Sequence, residues 1–121
     1  MKRKPIPNEI RQQVYEMYDG HCAYCGCELK YEDMQVDHKE SVYVAEYGGK
    51  EADNSIDNLM PACRQCNFYK QTMSIEGLRR KLMNFQERMT KEFAIRLGQR
   101  YGMLSVSKWD GKFYFEKMDK Q

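Results

Sequence analysis

The sequence is short of apolar residues and contains no long apolar run. Only 41% of its 121 residues are hydrophobic, which is low for a chain that must build its core unaided. No segment approaches the roughly 20 apolar residues of a membrane helix, and the basic residues 2–4 are not followed by the apolar stretch of a signal peptide. We therefore expect one cytoplasmic domain over residues 1–121, with no membrane association.

Histidine is also scarce, whereas cysteine is patterned. The chain contains two histidines and five cysteines, and cysteines in a reducing compartment rarely pair as disulfides. Four of the five form two CxxC pairs, Cys22 with Cys25 and Cys63 with Cys66. Such pairs can hold one zinc ion through four thiolates and leave no position for water, so we predict a structural zinc site. A bound zinc would also stabilise a small core.

Two residues beside the first pair each allow two interpretations. Cys27 is either a small, partly buried residue or an alternative zinc ligand, and His21 is either a structural histidine or a ligand. We favour the structural role for both, because four better-spaced cysteines already complete a tetrahedron.

The chain has little net charge, only +2, so the overall charge cannot attract a polyanion. Its distribution is uneven, however. Residues 28–62 carry a net charge of −6, and residues 63–108 carry a net charge of +7. A local basic surface can attract nucleic acid, because electrostatic fields act over a Debye length of about 8 to 10 Å.

The hydrophobic pattern predicts a helix at each end of the central region and a hairpin within it. Apolar residues at helical spacing follow Pro7 and predict a helix over residues 8–18. Residues 34–38 show strand alternation, residues 39–57 form a loop, and a second strand should lead into the second CxxC pair. A helix should begin at about Arg64.

The C-terminal part is predicted to contain a long amphipathic helix over residues 74–98 and a β-hairpin over residues 104–116. Apolar residues recur at three- and four-residue steps through the helix. Its other face is basic, and that face is either solvated or in contact with phosphates. The hairpin prediction rests on Asp110-Gly111, which fits a type I′ turn between two alternating segments.

The motifs within residues 22–70 run in the order CxxC, Asp37-His38, Asn58-Leu59 and CxxC-Asn67-x-x-Lys70. This order resembles the zinc-stapled branch of the HNH endonuclease family. Each piece alone is weak evidence, but the order is specific, and the 37 residues between the CxxC pairs exceed the spacing of about 15 to 20 in a compact four-cysteine finger. The resemblance implies an α+β fold built on a ββα-metal finger.

The resemblance also implies roles for four residues. His38 would be the general base, and Asp37 and Asn67 would hold a catalytic Mg²⁺ or Mn²⁺ ion. Asn67 stands where many relatives have histidine, which makes this an HNN variant and favours a harder cation than zinc. Asn58 would brace the loop. Alternatives remain: Asp37 as a strand-end acid, Asn58 as a turn residue and Asn67 as a helix cap.

The expected partner is DNA, most simply double-stranded. Lys70 matches the closing lysine of the family motif and is predicted to contact phosphate, as are Arg64, Arg79 and Arg80. The predicted function is metal-dependent hydrolysis of DNA, and the resemblance implies that it leaves 5′-phosphate and 3′-hydroxyl ends. The alternative is a zinc-dependent nucleic-acid-binding module that does not cleave. A purely structural zinc domain would explain the cysteines but not Asp37, His38 and Asn67.

Overall fold

The computed structural model describes residues 5–39 and 55–119, and the chain divides into two compact units. One, the knuckle unit, comprises Met1–Ile75 and Phe113–Gln121; the other, the helical unit, comprises Glu76–Lys112. Most of the predicted loop over residues 39–57 lies outside the described residues. That residues 1–121 work as one nuclease domain stays a prediction.

The knuckle unit begins with α1, Asn8–Met17, as the sequence predicts. Val14 is its buried contact with the core, and Arg11 ties the helix to the following segment by donating to the carbonyl oxygens of Tyr31 and Met34 at 2.7 and 2.8 Å. The helix ends where Asp19 and Gly20 adopt φ angles of 53° and 76°. The second of these is a conformation that glycine adopts without strain.

A two-stranded antiparallel sheet forms the centre of this unit. Strand β1, Gln35–His38, pairs with β2, Leu59–Ala62, in a register that sets Asp37 opposite Met60 and His38 opposite Leu59. All four residues of β2 are buried. Pro61 is tolerated because neither strand is central in a sheet of two, so its missing N–H removes little pairing. The predicted hairpin is confirmed.

Helix α2, Arg64–Lys70, follows β2 directly. Cys63 is the N-cap, and its sulfur accepts a hydrogen bond from the backbone N–H of Cys66 at 3.4 Å. The succession of β1, β2 and α2 is the ββα arrangement predicted from the sequence. The mixed α+β fold class is confirmed.

The C-terminal β-hairpin prediction was wrong. The described residues between 104 and 113 form no strand, and the chain ends in a short helix, here called α5, over Tyr114–Met118. The predicted type I′ turn does not form either, because of its two central residues only Gly111 has a positive φ, 81°. The Asp110 side chain instead accepts from the Lys112 N–H at 3.0 Å. The following residues bond elsewhere, because the N–H groups of Tyr114 and Phe115 donate to the carbonyls of Tyr24 and Ala23, which lie between the cysteines of the first CxxC pair.

The single long helix predicted over residues 74–98 was also wrong. The helical unit contains α3, Ile75–Met89, and α4, Phe93–Arg100. At the break, the Thr90 hydroxyl donates to the Glu87 carbonyl at 2.8 Å, and Glu92 has an extended backbone. Threonine side chains compete in this way for helical carbonyls. The helix therefore stops near Thr90, although the apolar repeat in the sequence continues past it.

Neither unit provides a membrane-spanning helix within the described residues. The apolar interior of the knuckle unit is drawn from α1, the first CxxC pair, the sheet and the residue that caps α5. Its buried members are Val14, Cys22, Ala23, Tyr24, Leu29, Met34, Leu59, Met60, Ala62 and Phe113.

The residue that caps α5 tests how far this core depends on the C-terminal segment. Phe113 is 2% exposed and packs edge-on against the Tyr24 ring at 5.6 Å. We expect Phe113→Ala to lower the free energy of unfolding by about 3–5 kcal/mol. Phe68→Ala is the matched control, because Phe68 is 75% exposed and its loss should change stability by no more than about 0.5 kcal/mol. Equal denaturant midpoints for the two variants would contradict this.

Candidate metal centre and active site

The first CxxC pair lies on a tight turn between α1 and the 3₁₀ turn Tyr31–Asp33. The N–H of Gly26 donates to the Cys22 carbonyl at 2.9 Å, and the N–H of Cys22 donates to the Cys27 carbonyl at 2.8 Å. Gly26 has a φ of 83°, and a Cβ added there would lie 2.6 Å from the Tyr114 ring. The turn therefore requires glycine both for its backbone conformation and for space.

The two CxxC pairs come together into one group, here called the four-cysteine cluster: Cys22, Cys25, Cys63 and Cys66. All four sulfur atoms lie within 4.8 Å of one another, and those of Cys25 and Cys63 are 3.9 Å apart. Tetrahedral zinc with Zn–S bonds of about 2.3 Å requires sulfur atoms about 3.8 Å apart. The cluster therefore fits a zinc ion, as the sequence predicts.

Crowding of the sulfur atoms perturbs their ionisation. The hydrogen bond between the Cys66 and Cys22 side chains lowers the pKa of Cys22 and raises the pKa of Cys66. The two cannot both ionise readily, because like charges at this separation repel. A divalent cation among the four sulfurs would remove this conflict by compensating the thiolate charges.

Cys27 and His21 lie outside the four-cysteine cluster. Cys27 is exposed rather than partly buried. The ring of His21 stacks on Tyr114 with centroids 5.6 Å apart, and its Nδ1 lies 3.1 Å from the Tyr18 carbonyl oxygen. The stacking agrees with a structural role for His21, whereas the exposure of Cys27 does not fit the partly buried residue predicted there.

Asp37 and His38 end β1 and are both buried, with 5% and 7% of their surfaces exposed. Antiparallel pairing holds the end of this strand against the start of β2, because the N–H of Lys39 donates to the Asn58 carbonyl at 2.8 Å. Asn58, itself 7% exposed, ends the 3₁₀ turn that leads into β2. The sheet register therefore brings the predicted base, the predicted carboxylate ligand and the predicted bracing residue to one end of the hairpin.

The Asp37 carboxylate is held by two donors. The Tyr24 hydroxyl donates to its Oδ2 atom at 2.5 Å, and the Lys70 ammonium lies 3.1 Å from the same oxygen. Burial, and then the negative charge of Asp37, raise the pKa of the Tyr24 hydroxyl well above its usual range. Tyr24 is therefore a neutral hydrogen-bond donor to this carboxylate.

The structure places Lys70 in the interior, contrary to the predicted phosphate contact. Its side chain has no exposed surface, and besides the ion pair with Asp37 it donates to the His38 carbonyl at 3.0 Å. A buried ammonium needs such compensation, because its desolvation is costly. Lys70 thus joins α2 to the end of β1 instead of facing a ligand in solvent.

Asn67 lies on α2, three residues before Lys70 and thus about 4.5 Å back along the helix axis. It is half-buried. Since Lys70 fixes α2 against Asp37 and His38, Asn67 is carried on the helix that packs against these residues.

The arginines predicted to contact nucleic acid differ in availability. Arg64, at the start of α2, and Arg80, on α3, are exposed. Arg79 binds other residues of the helical unit: its guanidinium pairs with Glu76 at 2.8 Å and donates to the Gly111 carbonyl oxygen. Of the four predicted contacts, only Arg64 and Arg80 present exposed side chains.

Tyr24 is the site residue that the sequence analysis missed. The available signal was an aromatic residue inside a CxxC pair. A large aromatic side chain favours burial, but it does not identify the carboxylate to which its hydroxyl donates.

Comparisons with known proteins agree with this geometry. Residues 22–72 match the family model described as HNH endonuclease. The chain is 25% identical over 124 aligned positions to YoqL, an SPbeta prophage-derived candidate HNH endonuclease of Bacillus subtilis (strain 168). The alignment covers 99% of this chain and 48% of YoqL, so the chain spans about half the length of that relative.

A solved nuclease structure shares the fold. The crystal structure of the Type II-C Cas9 enzyme from Actinomyces naeslundii matches with a TM-score of 0.54 and 25% sequence identity, over 67% of this chain and 9% of that one. The chain is thus similar to a nuclease family over one segment and to a small part of a Cas9 enzyme. Residues 22–72 therefore resemble the HNH endonuclease family, and the four-cysteine cluster fits its zinc-stapled branch.

Proposed function

We propose that this protein is a metal-dependent endonuclease that hydrolyses DNA phosphodiester bonds. His38 acts as the general base, Asp37 and Asn67 hold a Mg²⁺ or Mn²⁺ ion, and the four-cysteine cluster holds a structural zinc. The observation that carries the proposal is the contact of Lys70 with both Asp37 and His38. It supports a single site, because it fixes the helix that bears Asn67 against the strand that bears the other two residues.

The donor set suits a hard cation. Among the described residues, both contacts to the Asp37 carboxylate fall on Oδ2, which leaves Oδ1 as the oxygen that can bind an ion. Asn67 would add a neutral amide oxygen, and oxygen ligands are those that Mg²⁺ and Mn²⁺ prefer. Such a cation, when bound, stabilises negative charge on the scissile phosphate and on the leaving oxygen.

The protein side chains supply the proton transfer and the positioning. The His38 imidazole would accept a proton from the attacking water, a contribution worth about 10² to 10⁴ in rate. Antiparallel pairing beside Asn58 holds the strand end that carries His38. The expected products carry 5′-phosphate and 3′-hydroxyl ends, and the expected substrate is double-stranded DNA.

A second candidate is a zinc-dependent nucleic-acid-binding module without cleavage. The ion pair between Lys70 and Asp37 favours it, because this carboxylate is already neutralised by a buried cation. In that case Asp37 would serve the fold alone. Cleavage assays with Mg²⁺ and Mn²⁺ separate the two candidates.

The zinc proposal predicts about one tightly bound zinc ion per chain. We expect Cys63→Ser to lose the zinc and to unfold or aggregate, because the free energy of binding a structural zinc contributes to folding. Cys27→Ser is the matched control and should retain both zinc and fold, since Cys27 lies outside the cluster. Elemental analysis with circular dichroism measures both properties. A folded wild-type protein without zinc would contradict the proposal.

The assignment of His38 predicts a selective loss of rate. We expect His38→Ala to retain zinc, fold and DNA affinity, and to cleave plasmid DNA slower by about 10² or more, because only proton transfer is removed. Raising the Mg²⁺ or Mn²⁺ concentration should not restore activity. Wild-type cleavage by this variant would exclude His38 as the base.

The assignment of Asn67 predicts a different defect. Asn67→Ala should raise the Mg²⁺ or Mn²⁺ concentration needed for half-maximal cleavage, and excess metal should partly restore the rate, because one ligand of the cation is lost. Titrating the metal in the cleavage assay measures this. If the half-maximal concentration is unchanged, Asn67 is not a ligand of the cation.

The exposed arginine of α3 predicts a contribution to DNA binding that does not depend on sequence. Arg80→Ala should weaken binding to all DNA sequences alike and reduce the slope of log affinity against log salt by up to about one unit. Arg79→Ala should instead mainly destabilise the helical unit, because Arg79 pairs with Glu76 and Gly111. Binding titrations at several salt concentrations would show an unchanged slope for Arg80→Ala if that side chain is only solvated.

A further inference from the structure

Tyr24 links the four-cysteine cluster to the predicted catalytic carboxylate. It lies between Cys22 and Cys25, is 5% exposed, and places its hydroxyl 2.5 Å from Oδ2 of Asp37. Neither end of this side chain is free to move. Its backbone belongs to the first CxxC turn, and its ring packs edge-on against Phe113 and Phe115 at 5.6 and 6.2 Å.

The second donor to Asp37 comes from the other CxxC pair. Lys70 lies on α2, the helix that Cys63 caps and that contains Cys66. Asp37 Oδ2 therefore contacts Tyr24, which lies within the first CxxC pair, and Lys70, which lies on the helix that follows the second pair. The four-cysteine cluster fixes the relative positions of the two pairs, and with them the two donors.

These two contacts fix the orientation of the Asp37 carboxylate. A carboxylate with both donors on Oδ2 cannot rotate freely about its Cβ–Cγ bond without breaking two contacts, one of which involves a buried charge. Its Oδ1 atom is therefore held in one direction. Donors that fix a metal-binding carboxylate in this way commonly raise metal affinity, and their loss costs about 10- to 100-fold.

We propose that Tyr24 is a positioning residue that orients Oδ1 of Asp37 toward the Mg²⁺ or Mn²⁺ ion. The first CxxC turn would then help to form the binding site of that ion as well as the zinc site. This inference rests on the proposed function only in assigning a Mg²⁺ or Mn²⁺ ion to Asp37. It adds a role for a residue of the first knuckle that neither zinc ligation nor core packing requires. Zinc ligation needs only the flanking cysteines, and packing needs only the aromatic ring.

The test compares Tyr24→Phe with Tyr15→Phe in the zinc-loaded full chain. Both changes remove one tyrosine hydroxyl from the knuckle unit, since Tyr15 donates to the Leu29 carbonyl at 2.8 Å. Binding of Mn²⁺ is measured directly by electron paramagnetic resonance, without DNA. We expect Tyr24→Phe to weaken Mn²⁺ binding about 10-fold or more and Tyr15→Phe to leave it unchanged, with one zinc per chain in both.

A measurement on the unmodified protein supports the comparison if Tyr24→Phe folds poorly. With tyrosine rings labelled for NMR, addition of Mg²⁺ should shift the Tyr24 signal, because Tyr24 and the cation share the Asp37 carboxylate. The Tyr15 signal should stay in place.

The outcomes separate this inference from the proposed function. Equal Mn²⁺ affinity of Tyr24→Phe and wild type, or an unmoved Tyr24 signal on saturation with Mg²⁺, overturns the positioning role and leaves the endonuclease proposal intact. Wild-type protein that binds Mn²⁺ and loses that affinity in Tyr24→Phe, yet never cleaves DNA, supports the positioning role and overturns the endonuclease proposal. Wild-type protein that binds no Mn²⁺ overturns both.

Discussion

The ion pair between Lys70 and Asp37 is the interaction on which the arrangement of the candidate site depends. Both groups are buried, and removing a charge from water costs several kcal/mol unless partners replace the solvent. Here the ammonium finds a carboxylate at 3.1 Å and the His38 carbonyl at 3.0 Å. Together these contacts fix α2 against the end of β1. The same contacts determine where Asn67 lies, because it sits on the same short helix.

The parts of the fold that were predictable from the sequence are those encoded by local spacing. The CxxC pairs predicted the four-cysteine cluster because four sulfurs at that spacing typically bind one zinc ion. The apolar periodicity around Val14 predicted α1. The alternation over residues 34–38 placed Asp37 and His38 on a strand, and the helix predicted from about Arg64 carries Asn67. In each case the signal lies within a few residues, or in residue types with one dominant role.

The features that were missed depend on contacts distant in sequence or on competition within a helix. Lys70 is 33 positions from Asp37, and nothing local distinguishes a buried lysine from a solvated one. The Tyr24 hydroxyl likewise finds its acceptor across the fold. The break between α3 and α4 occurs at Thr90 without glycine or proline, and the predicted hairpin failed because the backbone after Phe113 pairs with the first CxxC turn.

The knuckle unit would then bind two different metal ions, and the type of ligand would determine which ion each site takes. Thiolates suit zinc, whereas Oδ1 of Asp37 and the Asn67 amide suit a hard cation. The second set is sparse, because Lys70 already offsets the charge of the one carboxylate. Mg²⁺ is commonly bound by one or two carboxylates together with substrate phosphates. In the proposed enzyme the scissile phosphate would therefore add oxygen ligands to a cation that Asp37 and Asn67 already hold, so DNA would strengthen a metal site that exists without it.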